Sequence, residues 1–269
     1  MKLHFYKYQG AGNDFVIIDG KRCVPELSPK IINNICDRRF GIGADGVMVI
    51  GNDPDVDFTM RYYNADGNEG SMCGNGGRCL AAFAAGVEKE RLVFSAVDGI
   101  HHAKVVKRFE DKYIIQLKMN DVNHIELVRE GGFFLDTGSP HLLFFGTDIA
   151  AMDVKDRGSF WRNHPDFAPK GTNVNFVEVV DGDSLFVRTF ERGVEDETFA
   201  CGTGVTAAAI AAYVRSIHWN MSLSKGIHTY CIKTLGGDLQ VSFQAEGMHF
   251  SDVQLTGPAT FVFEGDIML

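Results

Sequence analysis

The sequence predicts an α+β fold of two halves built on one plan, each a curved, strand-rich sheet around a helix. Three observations predict it. Short β-rich segments bounded by turn residues dominate both ends of the chain. Two stretches repeat: Asn64-Ala-Asp-Gly-Asn-Glu-Gly-Ser-Met-Cys73-Gly-Asn-Gly-Gly-Arg-Cys-Leu-Ala-Ala and Arg192-Gly-Val-Glu-Asp-Glu-Thr-Phe-Ala-Cys201-Gly-Thr-Gly-Val-Thr-Ala-Ala-Ala. Each carries a glutamate four residues before its cysteine, then Cys-Gly-x-Gly, then an alanine-rich run, so a loop-to-helix unit is duplicated. Finally, the small side chains of both helices allow each to sit close to the strands around it. Plain helix propensity of alanine is the simpler account, but the feature occurs twice.

In chain order, strands are predicted at Leu3–Tyr8 and Phe15–Asp19. A helix opens at Ser28-Pro29, with serine as cap and proline in the first turn, and runs to about Arg38. Strands follow at Val47–Ile50 and Phe58–Tyr63, then the helix after Cys73, which ends near Gly86 as a C-cap. Tyr113–Met119 is the last strand of the first half. Strand patterning lapses over Asn120–Glu130, which sets the boundary: residues 1–120 form the half with Cys73, joined by a returning strand at 257–269, and residues 121–256 form the half with Cys201. The second half holds a short helix plus loop over Val154–Lys170 and strands at Val174–Val180 and Leu185–Phe190. The helix after Cys201 runs to about Ser216, and strands follow at Thr229–Thr234, Leu239–Phe243 and Phe261–Glu264.

Composition excludes several classes. The 269 residues suffice for a sizeable core. The net charge of −9, with no lysine or arginine run, argues against a nucleic-acid partner. No apolar run reaches the ~18 residues of a membrane helix, and Met1-Lys-Leu-His-Phe-Tyr-Lys-Tyr lacks the apolar core of a signal peptide. A cytoplasmic protein is expected. The cysteines are Cys23, Cys36, Cys73, Cys79, Cys201 and Cys231. They contain no Cys-x-x-Cys pair, and Cys73 and Cys79 stand six apart with no nearby histidine, which is poor zinc spacing. No metal site is expected, and the thiols are expected to stay reduced. Gly41-Ile-Gly-Ala-Asp-Gly lacks the Rossmann spacing and no P-loop occurs, so no fingerprint of an organic cofactor is present, although a pyridoxal lysine would leave none.

A cysteine at a helix start has a chemical meaning. The first backbone N–H groups of a helix lack internal partners, glycine lets a ligand approach them, and the positive helix end favours anions. A substrate carboxylate is expected to dock on Gly74 and Asn75 from one helix and on Gly202 and Thr203 from the other. The same field favours a thiolate. Two thiols close together titrate as a pair, with one thiolate and one thiol as the working state. That state can remove an α-proton from one face of a stereocentre and return one to the other.

At these residues the chain resembles the diaminopimelate epimerase family over nearly its whole length. Gly10-Ala-Gly-Asn-Asp-Phe15, Gly41-Ile-Gly-Ala-Asp45, Asn64-Ala-Asp-Gly, Cys73-Gly-Asn-Gly-Gly-Arg78, Pro140-His141, Gly171-Thr-Asn-Val-Asn-Phe176, Glu191-Arg-Gly193 and Ala200-Cys-Gly-Thr-Gly204 follow in the family's order. The resemblance implies cofactor-independent interconversion of LL- and meso-diaminopimelate, in lysine and peptidoglycan synthesis, by an isomerase that is commonly a homodimer. It implies two pseudo-symmetric halves, each a barrel-like, mostly antiparallel sheet around a central helix, with the site in the cleft between. It makes Cys73 the proton donor and Cys201 the acceptor in the LL-to-meso direction. Asn13, Asn64, Asn173, Glu191 and Arg192 fall where the family contacts substrate; the rival for Arg192 is a surface ion pair with Glu195 or Asp196. Glu191 and His141 resemble polar residues that set thiol protonation, the carboxylate raising and a protonated histidine lowering the thiol pKa. A hydrogen-bonded core histidine is the alternative for His141. One departure is Ser139-Pro140-His141 where the family often has Asn-Pro-His, which removes an amide from the site. The neighbouring reading is a two-cysteine enzyme of the proline racemase or hydroxyproline epimerase kind.

Overall fold

The structure, a computed structural model, describes residues 2–21, 26–70, 72–86, 88–220 and 225–269. The chain falls into two compact units, Met1–Leu117 with Gly257–Leu269, and Lys118–Thr256. The elements of the first are β1 (Lys2–Gly10), β2 (Asn13–Asp19), α1 (Pro29–Cys36), β3 (Gly46–Gly51), β4 (Phe58–Asn64), β5 (Glu69–Gly70), α2 (Gly74–Ala85), β6 (Arg91–Ala96), β7 (Gly99–Arg108) and β8 (Lys112–Lys118). Those of the second are β9 (Ile125–Leu127), β10 (Phe133–Asp136), β11 (Pro140–Phe145), α3 (Val154–Arg162), β12 (Asn173–Asp181), β13 (Ser184–Glu191), β14 (Asp196–Thr198), α4 (Gly202–Asn220), β15 (Gly226–Thr234) and β16 (Gly237–Glu246). A long final strand, β17 (His249–Met268), contributes to both.

In the first unit β1–β2 is antiparallel, β2–β3 parallel, β3–β4 antiparallel, β4–β6 parallel, and β6–β7 and β7–β8 antiparallel. The C-terminal part of β17 lies antiparallel to β8 and to β1 and closes the ring. The second unit repeats this order. β10–β11 is antiparallel, β11–β12 parallel, β12–β13 antiparallel, β13–β15 parallel, and β15–β16 and β16–β17 antiparallel. The Val122–Phe250 bridge and the antiparallel β9–β10 pair complete its circuit. Short strands β5 and β14 hang on β4 and β13 at matching places.

The helices obey the same correspondence. α2 packs on β1, β2, β3, β4, β6 and β7, and α4 on β10, β11, β12, β13, β15 and β16, so each ring encloses one helix. Nearly every residue of α2 is buried. α1 and α3 lie outside. This explains why β2 buries four residues in a row, Phe15 to Ile18. Alternate side chains face opposite sides of a strand: Val16 and Ile18 pack with Ile32 and Ile35 of α1, whereas Phe15 approaches Gly76 of α2. Each such fully buried side chain contributes roughly 1.5–3 kcal/mol. In the second unit Leu142, Val174 and Phe176 pack outward with Trp161 of α3, leaving His141, Asn173 and Asn175 on the inward face.

The predicted α+β class and ring-around-helix plan are therefore observed. Helix ends match at Ser28, whose hydroxyl accepts from Ile31 N–H, and at the Gly86 C-cap with φ 52°. α4 continues to Asn220 rather than Ser216, since no glycine or proline stops it. The sequence reading passes over β5, β6, β7, β9, β10, β11 and β14.

Candidate active site

Each unit gathers its candidate residues around the start of its enclosed helix. In the first, a two-residue turn joins β1 to β2: Ala11 and Gly12 have φ 53° and 84°, and Gly10 pairs with Asn13. Positive φ at both central positions is the hairpin turn that matches strand twist, and it makes Asn13 the first residue of β2. Asn13 Nδ2 donates to the Asp45 carboxylate in a short contact. Its Oδ1 is thereby turned toward Cys73 Sγ at 3.7 Å and accepts from Asn75 Nδ2 at 3.4 Å. Asp45 is itself held by Arg38 at 2.7 Å.

Cys73 is the N-cap of α2, with extended backbone; its carbonyl accepts from Gly77 N–H at 2.7 Å, and the first turn holds no acidic residue. Arg78, one turn on, is fully buried. Its guanidinium donates to Asn75 Oδ1 at 3.0 Å, to the Pro258 carbonyl at 3.2 Å and to the Gly74 carbonyl at 3.4 Å. Asn64 is exposed at the end of β4.

In the second unit Cys201 is buried and immediately precedes α4; its carbonyl accepts from Val205 N–H at 3.0 Å. The first turn of α4 likewise lacks an acidic residue. Cys201 Sγ lies 3.4 Å from Thr203 Oγ1, which lies 2.9 Å from His141 Nε2 and 3.1 Å from Ser139 Oγ. His141 is fully buried, and Asn175 Nδ2 lies 3.0 Å from its Nδ1. Burial, reinforced by the positive Arg192, pushes the His141 pKa down to about 3 despite the Asn175 hydrogen bond. The ring is therefore neutral at pH 7. A dry site with a cation near it disfavours a second positive charge, and His141 stands in it as a neutral ring hydrogen-bonded to Thr203 and Asn175.

Asn173, the first residue of β12, donates from Nδ2 to the Pro140 carbonyl at 3.0 Å and to Ser139 Oγ at 3.3 Å, and its Oδ1 accepts from Arg192 N–H at 2.9 Å. Both amide hydrogens are engaged within the unit. Glu191 ends β13 and accepts from Thr198 Oγ1 at 3.0 Å. Arg192 makes none of the ion pairs among the described residues: Glu195 pairs with Arg162 at 3.0 Å and Asp196 with Lys155 at 2.6 Å. The surface-pair rival for Arg192 is thereby displaced.

The duplicated glutamates have a structural role. Glu69 on β5 pairs with Arg61 on β4 at 3.0 Å, and Glu197 on β14 pairs with Arg188 on β13 through two 2.7 Å bonds. Each ties down the short strand that leads into its cysteine. Among the other cysteines, Cys36 and Cys79 are buried, and burial pushes their thiols up to about 11 and about 12. Cys231 is exposed, and Cys23 lies outside the described residues. Among the described residues, no cluster of three His, Cys, Asp or Glu could hold a metal ion, and no helix is long and apolar enough to cross a membrane.

Sequence reasoning missed Asp45 and Asn175 as site residues. The signal for Asn175 was present: it stands two residues after Asn173, so both share one strand face.

The family model for diaminopimelate epimerase matches residues 5–125 and 133–262. A diaminopimelate epimerase of Flavobacterium psychrophilum is 44% identical over 99% of this chain and 100% of its own length. One of Chlorobaculum tepidum is 38% identical over 97% and 99%. Among solved structures, a PhzF-family phenazine biosynthesis protein of Bacillus anthracis superposes with TM-score 0.76 at 15% identity, covering 100% of both chains. A probable proline racemase of Agrobacterium radiobacter gives TM-score 0.67 at 14% identity, covering 99% of this chain and 93% of its own. At such identities the likeness is one of fold.

Proposed function

Because the chain belongs to the diaminopimelate epimerase family, whose members are isomerases, we propose that it inverts the α-carbon of LL-diaminopimelate to the meso form without a cofactor, using Cys73 and Cys201 as its two acid–base groups. The observation that carries the reading is the duplication. Two rings of one topology each enclose a helix, and each helix is preceded by a cysteine whose carbonyl accepts its first hydrogen bond.

The chemistry follows from that arrangement. In the LL-to-meso direction Cys201 accepts the α-proton as thiolate, and Cys73 delivers a proton to the opposite face as thiol. The roles exchange in reverse. An α-proton is a weak acid, so charge must move into the carboxylate as the proton leaves. Backbone N–H groups at Gly74, Asn75, Gly202 and Thr203 stabilise that charge, and neither first turn carries an acid to oppose them. The far end of diaminopimelate is a second amino acid. Arg192 takes its carboxylate with parallel hydrogen bonds, while Asn13, Asn64, Asn173 and Glu191 line its polar groups. We read the enzyme as cytoplasmic, serving lysine and peptidoglycan synthesis, and as a homodimer.

The proline racemase and hydroxyproline epimerase reading shares the half-site chemistry. It is disfavoured by the names of the relatives at 44% and 38% identity and by an arginine that a single-headed substrate does not need. The test is direct: purified protein is offered LL-diaminopimelate and L-proline in parallel. Inversion of diaminopimelate alone supports the proposal, and inversion of proline alone overturns it.

A further inference from the structure

We propose that Asn175, acting through His141, fixes the direction of the hydrogen bond at Cys201, so that the Thr203 hydroxyl donates to the sulfur. Ser139 completes the arrangement. The proposal deepens the epimerase reading and rests on it for its catalytic meaning.

Groups that can only accept set the direction of each bond. Asn175 Nδ2 lies 3.3 Å from the Leu142 carbonyl and 3.0 Å from His141 Nδ1. A carbonyl has no proton to give, so the atom facing it is the amide nitrogen. On the far side Asn175 Oδ1 accepts from Thr189 Oγ1 at 2.9 Å, as the same orientation requires. His141 Nδ1 must then accept from Asn175, and the proton of the neutral ring sits on Nε2. That N–H faces Thr203 Oγ1 at 2.9 Å and Ser139 Oγ at 3.0 Å.

The hydroxyls follow in turn. The Pro140 carbonyl fixes the orientation of Asn173 by the same reasoning, so Asn173 Nδ2 donates to Ser139 Oγ at 3.3 Å. Ser139 then passes its one proton to Thr203 Oγ1 at 3.1 Å. Thr203 Oγ1 accepts from His141 and from Ser139, and its own proton is directed at Cys201 Sγ, 3.4 Å away. The serine that replaces the expected asparagine thus supplies a donor to Thr203. Gly204 makes the closeness possible, because a Cβ there would lie 2.5 Å from Asn175 Oδ1 and 3.3 Å from His141 Cε1.

The other unit has the opposite sense. Asp45 accepts a hydrogen bond from Asn13 Nδ2, so an acceptor oxygen meets Cys73 Sγ at 3.7 Å. An acceptor is satisfied by a thiol S–H, and a donor by a thiolate. Two amides, each locked by an obligate acceptor, therefore make the two sulfurs inequivalent. Cys201 is prepared to receive a proton and Cys73 to give one.

Asn175 is a positioning residue, and its test uses no substrate, so failure here is separable from failure of the epimerase reading. Histidine-selective ¹⁵N NMR, with the His141 signals assigned by a His141→Gln variant, reports the tautomer. The expected result is a neutral ring protonated at Nε2, with the proton moved to Nδ1 in Asn175→Asp. Iodoacetamide labelling, mapped by mass spectrometry, reports the sulfurs. Cys201 should react about tenfold more slowly in Asn175→Asp and in Thr203→Val, the effect of about one charge-assisted hydrogen bond. Thr203→Ser should restore its rate, and Cys73 should be unaffected throughout. A ring protonated at Nδ1 in the unaltered protein overturns the proposal, as does a Cys201 rate untouched by Thr203→Val or a matching fall at Cys73. Should Asn175→Asp not fold, the spectrum of the unaltered protein and the Thr203 pair decide.

Discussion

The backbone N–H of Arg192 donates to the side-chain Oδ1 of Asn173 at 2.9 Å, joining the residue that follows β13 to the one that opens β12. The bond holds the turn from which the Arg192 side chain leaves. The guanidinium donates to the Lys170 carbonyl at 3.4 Å, and the nearby carboxylates of Glu195 and Asp196 are paired with Arg162 and Lys155. Its charge is thus not neutralised from within its own turn. Arg192→Ala should raise the KM for diaminopimelate by more than about tenfold, the loss of a two-bond carboxylate contact. Asn173→Ala should raise KM less, since it releases the turn without removing the cation. Initial-rate kinetics on both variants check this order.

Gly204→Ala should be costly. The new Cβ meets Asn175 Oδ1 at 2.5 Å, an atom already fixed by Thr189. Overpacking of this kind costs roughly 1–3 kcal/mol. Gly76→Ala is the control: its Cβ meets chiefly the terminal methyl of Met48, which can swing away, and alanine favours helix by about 1 kcal/mol. Urea unfolding of both should place Gly204→Ala clearly below Gly76→Ala.

Much of this was legible in the sequence, for physical reasons. Helix starts carry local chemistry, so Ser28-Pro29 and the two Cys-Gly-x-Gly runs were readable without tertiary context. Strands with continuous apolar runs were readable for the same reason. β7 was not, because its surface-facing lysines and histidines interrupt any apolar alternation; nor was β11, which opens on Pro140, a residue that normally argues against a strand except at its first position. The neutral state of His141 depends on burial, and the orientation of Asn175 on a carbonyl of a neighbouring strand. Neither is written in local residue order.

Acid should destabilise the fold in two steps. His141 titrates at about 3 in the fold against an ordinary 6.5. The unfolded chain therefore binds the extra proton between those values, and stability falls as pH drops below about 6.5. Asp14 is a depressed carboxyl. Its burial acts to raise the pKa, but hydrogen bonds from Arg38 and Lys7 outweigh it and hold it at about 2 against 3.8. Its contribution, about 2 kcal/mol, is present above pH 3.8 and lost as pH falls toward 2. Asp14→Asn should be the less stable protein at pH 7, with the gap closing near pH 2. Chemical denaturation across pH 2–7 measures both windows.

Arg78→Met should destabilise the first unit by about 3 kcal/mol or more. It removes the guanidinium that donates to the Gly74 carbonyl, the Pro258 carbonyl and Asn75 Oδ1, and each hydrogen bond from a charged group contributes about 1.5–3 kcal/mol. Because Pro258 lies on β17, the same variant should speed amide hydrogen exchange where β17 pairs with β8. Exchange unchanged at Ile114 and Ile115 would separate the arginine from ring closure.

The central claim is that two sulfurs exchange protons with one α-carbon. It is tested most directly by incubating LL-diaminopimelate with the protein in heavy water and locating the label in the product. The account predicts meso-diaminopimelate carrying deuterium at the inverted α-carbon, with inversion abolished in Cys73→Ala and in Cys201→Ala alike. Full inversion by either variant, or meso product without deuterium, would contradict it.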